Sequence, residues 1–172
     1  MMNFRKKLIL FFCMLSFIFF LIGFFSPGQS EHHEISQLGF NDALFIFVFN
    51  SINLLIWFML SLTGLSPLLI LKAIFGMGTG WHALSISPLL YYSTSFSHGV
   101  LEWIACLIVF LFTIDHLYHL TSYFRKKISY EQLKSFYWVT VKKTIPTALF
   151  ILFAAAFFEV YVSNRLLLIL VQ

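Results

Sequence analysis

The sequence predicts an all-α integral membrane protein with about five transmembrane helices and a short cytoplasmic amphipathic helix between spans four and five. Three observations carry that prediction. Sixty per cent of the 172 residues are apolar and only 10% are charged, against roughly a quarter charged in a soluble domain. The apolar residues gather into long runs separated by short polar punctuation. The basic residues, finally, fall on alternate sides of those runs. The two cysteines, Cys13 and Cys106, both lie inside apolar runs, so neither a disulfide framework nor a thiolate metal site is indicated.

The first span covers residues 8–25. It follows Arg5-Lys6-Lys7 and is longer than a signal-peptide core, so it reads as a retained span. Ser26-Pro27-Gly28 ends it, and a polar loop containing Glu31, His32, His33 and Glu34 leads to a second span at residues 43–63, which carries Asn50 and Asn53. The turn Gly64-Leu65-Ser66-Pro67 joins it in a hairpin to a third span at 68–86. That span is weaker in hydropathy, with Lys72 near its start and Gly76-Met77-Gly78-Thr79-Gly80 in its middle. Gly76, Gly78 and Gly80 give it a small-residue face suited to close helix approach. After Ser87-Pro88 and a Ser/Thr/Tyr-rich loop, the fourth span covers 98–118 and the fifth 145–163.

The cytoplasmic loop at 120–144 contains a capping box, Ser129-Tyr130-Glu131-Gln132, followed by Leu133, Tyr137 and Val141 at helical spacing, with Phe136 beside them. The resulting amphipathic helix suits an anionic lipid surface or a cytoplasmic partner such as an ABC-type ATPase. Arg5–Lys7 and six lysines and arginines between spans four and five mark the cytoplasmic side, whereas the loops at 26–42 and 87–97 have no basic residue. A multi-pass cell-membrane protein follows, with its amino terminus inside and its carboxyl terminus outside. The segment 166–171 is too short to span by itself and extends span five past Arg165 in a second version of the topology, which moves Glu159 toward the midplane.

Ionisable groups within such spans are costly and mark function by default. With spans ending as above, His98 and Glu102 open span four, Glu159 lies near the end of span five, Asn50 and Asn53 occupy the outer half of span two, and Trp81 and His82 the outer part of span three. His98 and Glu102 are four apart and share a helix face. They form, with Glu159, the candidate catalytic set, and with His82 a candidate zinc set of nitrogen and oxygen ligands. Asn50 and Asn53 read equally as interhelical hydrogen-bond glue, a polar structural core together with the three glycines. Asp115, His116 and His119 read as solvated groups at the inner end of span four. No His-Glu-x-x-His, Gly-x-Ser-x-Gly or phosphate-binding loop is present.

Ser97-His98-Gly99-Val100-Leu101-Glu102, the Asn-containing second span, the glycine-rich third and Ala154-Ala155-Ala156-Phe157-Phe158-Glu159-Val160-Tyr161-Val162-Ser163 together resemble the stage II sporulation protein M family (DUF95) over about residues 40–165. Ser97 stands where that family usually has proline. The resemblance implies a polytopic bacterial membrane protein, either of the sporulation engulfment type or of the short type linked to maturation, export or immunity of circular bacteriocins. The short loops favour the latter. Two functions from different classes fit it: a non-enzymatic membrane component that works with an ATPase or other membrane subunits on a hydrophobic peptide, and an intramembrane metal-dependent peptidase or cyclase with an outward-facing His/Glu site. No nucleic-acid partner is expected.

Overall fold

A computed structural model describes residues 4–27, 36–84 and 86–171. The expected loop residues Glu31, His32, His33 and Glu34 lie outside the described residues. Within them the chain is all helical, and four helices are long and apolar enough to cross a membrane: Phe4–Phe25, Phe40–Thr63, Pro88–Phe124 and Tyr130–Val171.

α1 (Phe4–Phe25) is apolar on every side. It stops where the Ser26 hydroxyl donates to the Ile22 carbonyl, 2.6 Å away, and Pro27 follows. At the start of α2 (Phe40–Leu60) the Asp42 carboxylate accepts the Gly39 amide at 2.7 Å, satisfying one of the unpaired first-turn donors. A 3₁₀ turn, Ser61–Thr63, and Gly64 at φ 74° reverse the chain. α3 (Ser66–Thr79) then begins with Pro67 in its first turn. It is shorter than the expected third span, because the helix tightens into a 3₁₀ segment, Gly80–Leu84, where the glycine run ends. At about 1.5 Å per residue and about 2 Å in the 3₁₀ part, the two together still reach about 30 Å, the thickness of the hydrocarbon core.

α4 (Pro88–Phe124) is the central element and packs against every other helix. It starts ten residues before the expected fourth span. The stretch 88–97, expected as a loop for its serines, threonine and tyrosines, is helical because Ser87 caps it, its hydroxyl accepting the Leu90 amide, and Pro88 supplies the first turn. At its other end Lys126, at φ 56°, terminates the helix with its amide on the Tyr123 carbonyl and the Lys127 amide on that of Ser122.

α5 (Tyr130–Val139) opens with the expected capping box, Ser129 and Gln132 bonding each other's backbone amides. It is not a separate surface helix. A π-turn, Thr140–Thr144, runs it into α6 (Ile145–Phe158), and a second, Glu159–Ser163, joins α6 to α7 (Asn164–Val171). The stripe that docks on α4 is Leu133, Phe136, Tyr137 and Thr140, whereas Tyr130 and Val141 are exposed. The core lies in the half of the bundle nearer α5, where Leu54, Phe58, Ile70, Val109, Phe110, Phe112 and Leu152 are buried. Around it Phe45, Phe150 and Ile169 stand 70% or more exposed, as lipid-facing side chains do.

Candidate functional site

Glu102 is the hub of a polar centre shared by three helices. Asn50 on α2 donates its Nδ2 hydrogen to Glu102 Oε1 at 2.9 Å. On the other flank α6 and its π-turn approach α4 through Ala155 and Ala156, both buried against it with Ala105. There the His98 Nδ1 and the Ser163 hydroxyl share a hydrogen bond of 2.8 Å, and Glu159 lies within electrostatic range of Glu102. His98 and Glu102 on α4 thus face Ser163 and Glu159 on the antiparallel partner, each pair four residues apart. Tyr91 is within range of both carboxylates.

The depth differs from the expectation. Asn50 is midway along α2, and Glu159 is near the middle of the continuous stretch from Ile145 to Val171. α1 gives a ruler for α4: the Arg5 guanidinium pairs with Asp115 at 2.8 Å, Phe12 stacks on Phe110 and Trp103, and Phe24 meets Tyr92. Glu102 lies near the centre of the interval from Tyr92 to Asp115. The carboxylates and Asn50 therefore sit halfway along their helices, with His98 one turn toward the end where α1 finishes. The sequence placed them at helix ends because it began span four at residue 98 and closed span five at 163.

Two cavities meet at Glu102. The larger, about 590 Å³, is a cleft between α1 and α4 with Ile74 and Met77 of α3 also on its wall. His98, Gly99, Trp103, Phe20 and Tyr92 line it, and Phe17, Phe96 and Val100 are exposed at its edge. The Ser16 hydroxyl, on a residue only 5% exposed, lines this cleft and has no hydrogen-bond partner. The smaller cavity, about 240 Å³, lies on the α2 side among Asn50, Asn53, Trp57, Ala73, Cys106 and Leu152. Asn53 faces it without bonding Glu102, so of the two asparagines only Asn50 is shown as interhelical glue.

The remaining candidates are placed as follows. His82 stacks on Trp81 at 3.7 Å, and both ring N–H positions, His82 Nε2 and Trp81 Nε1, are buried without a partner. Among the described residues no three histidine, cysteine or carboxylate side chains are grouped closely enough to hold a metal ion. Of the glycines, Gly78 is packed against the α1 backbone beside Gly23, and Gly80 lies under the Tyr91 ring. Gly76 is exposed with open space around it. His116 is fully buried rather than solvated, because α5 folds over it and Tyr137 shares a 3.1 Å hydrogen bond with its Nδ1. His119 donates to the Asp115 carbonyl and stacks on Phe136.

Sequence reasoning passed over Ser16, Tyr91, Trp103 and Ser163. Only Ser163 carried a signal, its four-residue spacing from Glu159 repeating that of His98 and Glu102. No family model, no curated protein and no solved structure matches this chain.

Proposed function

We propose that this chain is a multi-pass membrane protein that receives a hydrophobic peptide in the cleft between α1 and α4, as a component of a system for the peptide's maturation, export or self-protection. The observation that carries the reading is the cleft itself. It is large enough for a drug-sized or short-peptide ligand, its walls are aromatic and aliphatic, and Phe17, Phe96 and Val100 open it sideways, where lipid would lie. A peptide partitioned into the bilayer enters such a site without crossing water.

In this reading α3 and its 3₁₀ segment form the third of five spans. The amino terminus is cytoplasmic and the carboxyl terminus extracytoplasmic, in keeping with the Arg5–Asp115 pair, which brings the start of α1 to the same end as the basic segment after α4. The likeness of residues 97–102 and 154–163 to the stage II sporulation protein M family points the same way, toward its short bacteriocin-associated form, with an ABC-type ATPase or other membrane subunits as partners.

The test uses two native features. Cys13 lines the cleft and Cys106 is 3% exposed, so a membrane-permeant maleimide labels Cys13, and bound hydrophobic peptide slows that labelling. Gly99 lines the cleft with nothing within 4 Å of an added Cβ. Gly99→Leu fills the space, leaves thermal stability within about 1 kcal/mol, and removes the protection. Labelling of Cys13 at the same rate with and without peptide in the wild-type protein sinks the reading.

A second reading, peptide cleavage or cyclisation by His98, Glu102 and Glu159 with zinc, is favoured by the nearness of the two carboxylates. Stoichiometric bound zinc in the purified protein, lost together with peptide processing in Glu159→Gln, would establish it. Processing that survives Glu102→Gln and Glu159→Gln would eliminate it.

A further inference from the structure

The apolar cleft carries a one-sided electrostatic character. Glu102 is its only carboxylate, and no lysine or arginine lines it. Asn50, which bonds one Glu102 oxygen, is neutral, and the neighbouring Glu159 adds charge of the same sign. The one ion pair among the described residues, Arg5 with Asp115, is at the far end of α1. A carboxylate in such surroundings is stable only if it gains a proton or a cation, because an uncompensated charge there costs several kcal/mol. Ser16, buried and unpartnered on the facing helix, adds an unused hydrogen-bonding group. Phe20, Tyr91, Tyr92 and Trp103 supply ring faces of the kind that attract ammonium groups.

We propose that the cleft binds the free amino terminus of its hydrophobic peptide, with the terminal ammonium against Glu102, the first polar backbone atoms within reach of Ser16, and the leading apolar side chains among the aromatic walls. This rests on the reading of the cleft as the peptide's receiving site and names the part of the peptide it takes. A lipid amine fits less well. The ammonium of phosphatidylethanolamine comes with a phosphate, which would meet Glu102 and Glu159 with no arginine or lysine on the wall to receive it. A peptide amino terminus is followed by a neutral amide.

The experiment uses the full chain in phosphatidylcholine nanodiscs and an apolar peptide without lysine or arginine, labelled at its carboxyl end, in free-amino and N-acetylated forms. Fluorescence anisotropy should show the free-amino form binding about tenfold more tightly, the equivalent of one charge-assisted hydrogen bond. Glu102→Gln should bring it to the level of the acetylated form, whose own binding stays unchanged. The wild-type protein supplies a check that needs no variant. Raising the pH well above the α-amino pKa of about 8 should abolish the preference by neutralising the peptide. Equal binding of both forms at neutral pH overturns the proposal and leaves peptide reception standing; binding of neither overturns both. Competition by phosphatidylethanolamine as strong as that of the free-amino peptide assigns the cleft to a lipid amine and also overturns the proposal.

Discussion

α1 is held in two opposite ways along its length. Against α3 it lies at backbone distance: a Cβ on Gly78 would stand 2.9 Å from the Phe24 amide nitrogen, and one on Gly23 would stand 3.2 Å from the Gly78 Cα. Against α4, a few residues away, it stands off and leaves the cleft lined by Cys13, Ser16, Phe17 and Phe20. The contrast shows how a membrane protein keeps a cavity open. In lipid no hydrophobic force drives helices to fill a gap, so shape is set by where close packing is permitted. Here α1 is fixed by the glycine seam near its end, by Phe12 between Trp103 and Phe110 at mid-length, and by Arg5 on Asp115 at its start. Between those points the bulk of Trp103 and Tyr92 props the helices apart.

Substitutions can break this arrangement at graded strengths. The largest effect is expected at the seam. Gly78→Ala or Gly23→Ala drives a methyl group into the opposing backbone, and overpacking of this kind costs about 1–3 kcal/mol, read as a fall in the midpoint of thermal unfolding in nanodiscs. Gly76→Ala, two residues away in open space, is the control and should be neutral to slightly stabilising. If all three behave alike, the seam is not what fixes α1. Next comes Asn50→Leu, which strips Glu102 of its one donor on the α2 side. Losing a partner of a desolvated group costs about 1–3 kcal/mol, and Asn53→Leu should cost distinctly less because Asn53 does not bond Glu102. Equal losses in the same unfolding assay would show the two asparagines to be interchangeable glue. The smallest effect belongs to Arg5→Ala. That pair is 66% and 36% exposed on its two sides, so about 0.2–1 kcal/mol is expected, and added salt should shrink the difference from wild type.

The polar residues that mattered stood out in the sequence because each interrupts hydrocarbon, and the two-sided punctuation by Ser26-Pro27, Ser66-Pro67 and Ser129–Gln132 marked helix ends that the structure keeps. Depth was not legible. Residues 88–97 look like a loop by composition, yet one capping serine and one proline suffice to start a helix there when α3 and α1 lie alongside. Asn164 and Arg165 look like an exit from the membrane, yet Asn164 is tied down, its Nδ2 donating to the Ser36 carbonyl and its Oδ1 accepting the Leu38 amide. The two misplaced ends shifted the whole polar centre outward by about the same amount, which is why its members still fell together. Ser16 was invisible because a single hydroxyl in an apolar run is ordinary, and only packing reveals that it lacks a partner. The face α5 turns to α4 was blurred by tyrosines and a tryptophan on both sides of the helix.

The turn at Glu159–Ser163 closes its bonds five residues apart rather than four. The chain therefore carries one surplus residue there, and helical phase is counted from it. Removing any single residue of the turn would restore plain α-helix and rotate everything beyond it by about 100°. Asn164 would swing off the strand of chain that enters α2, and Ser163 off His98, although no side chain in either contact had been changed. What aims the last helix is a number of residues, so a deletion here acts as a rotation, and its harm would be repaired by an insertion within the same turn.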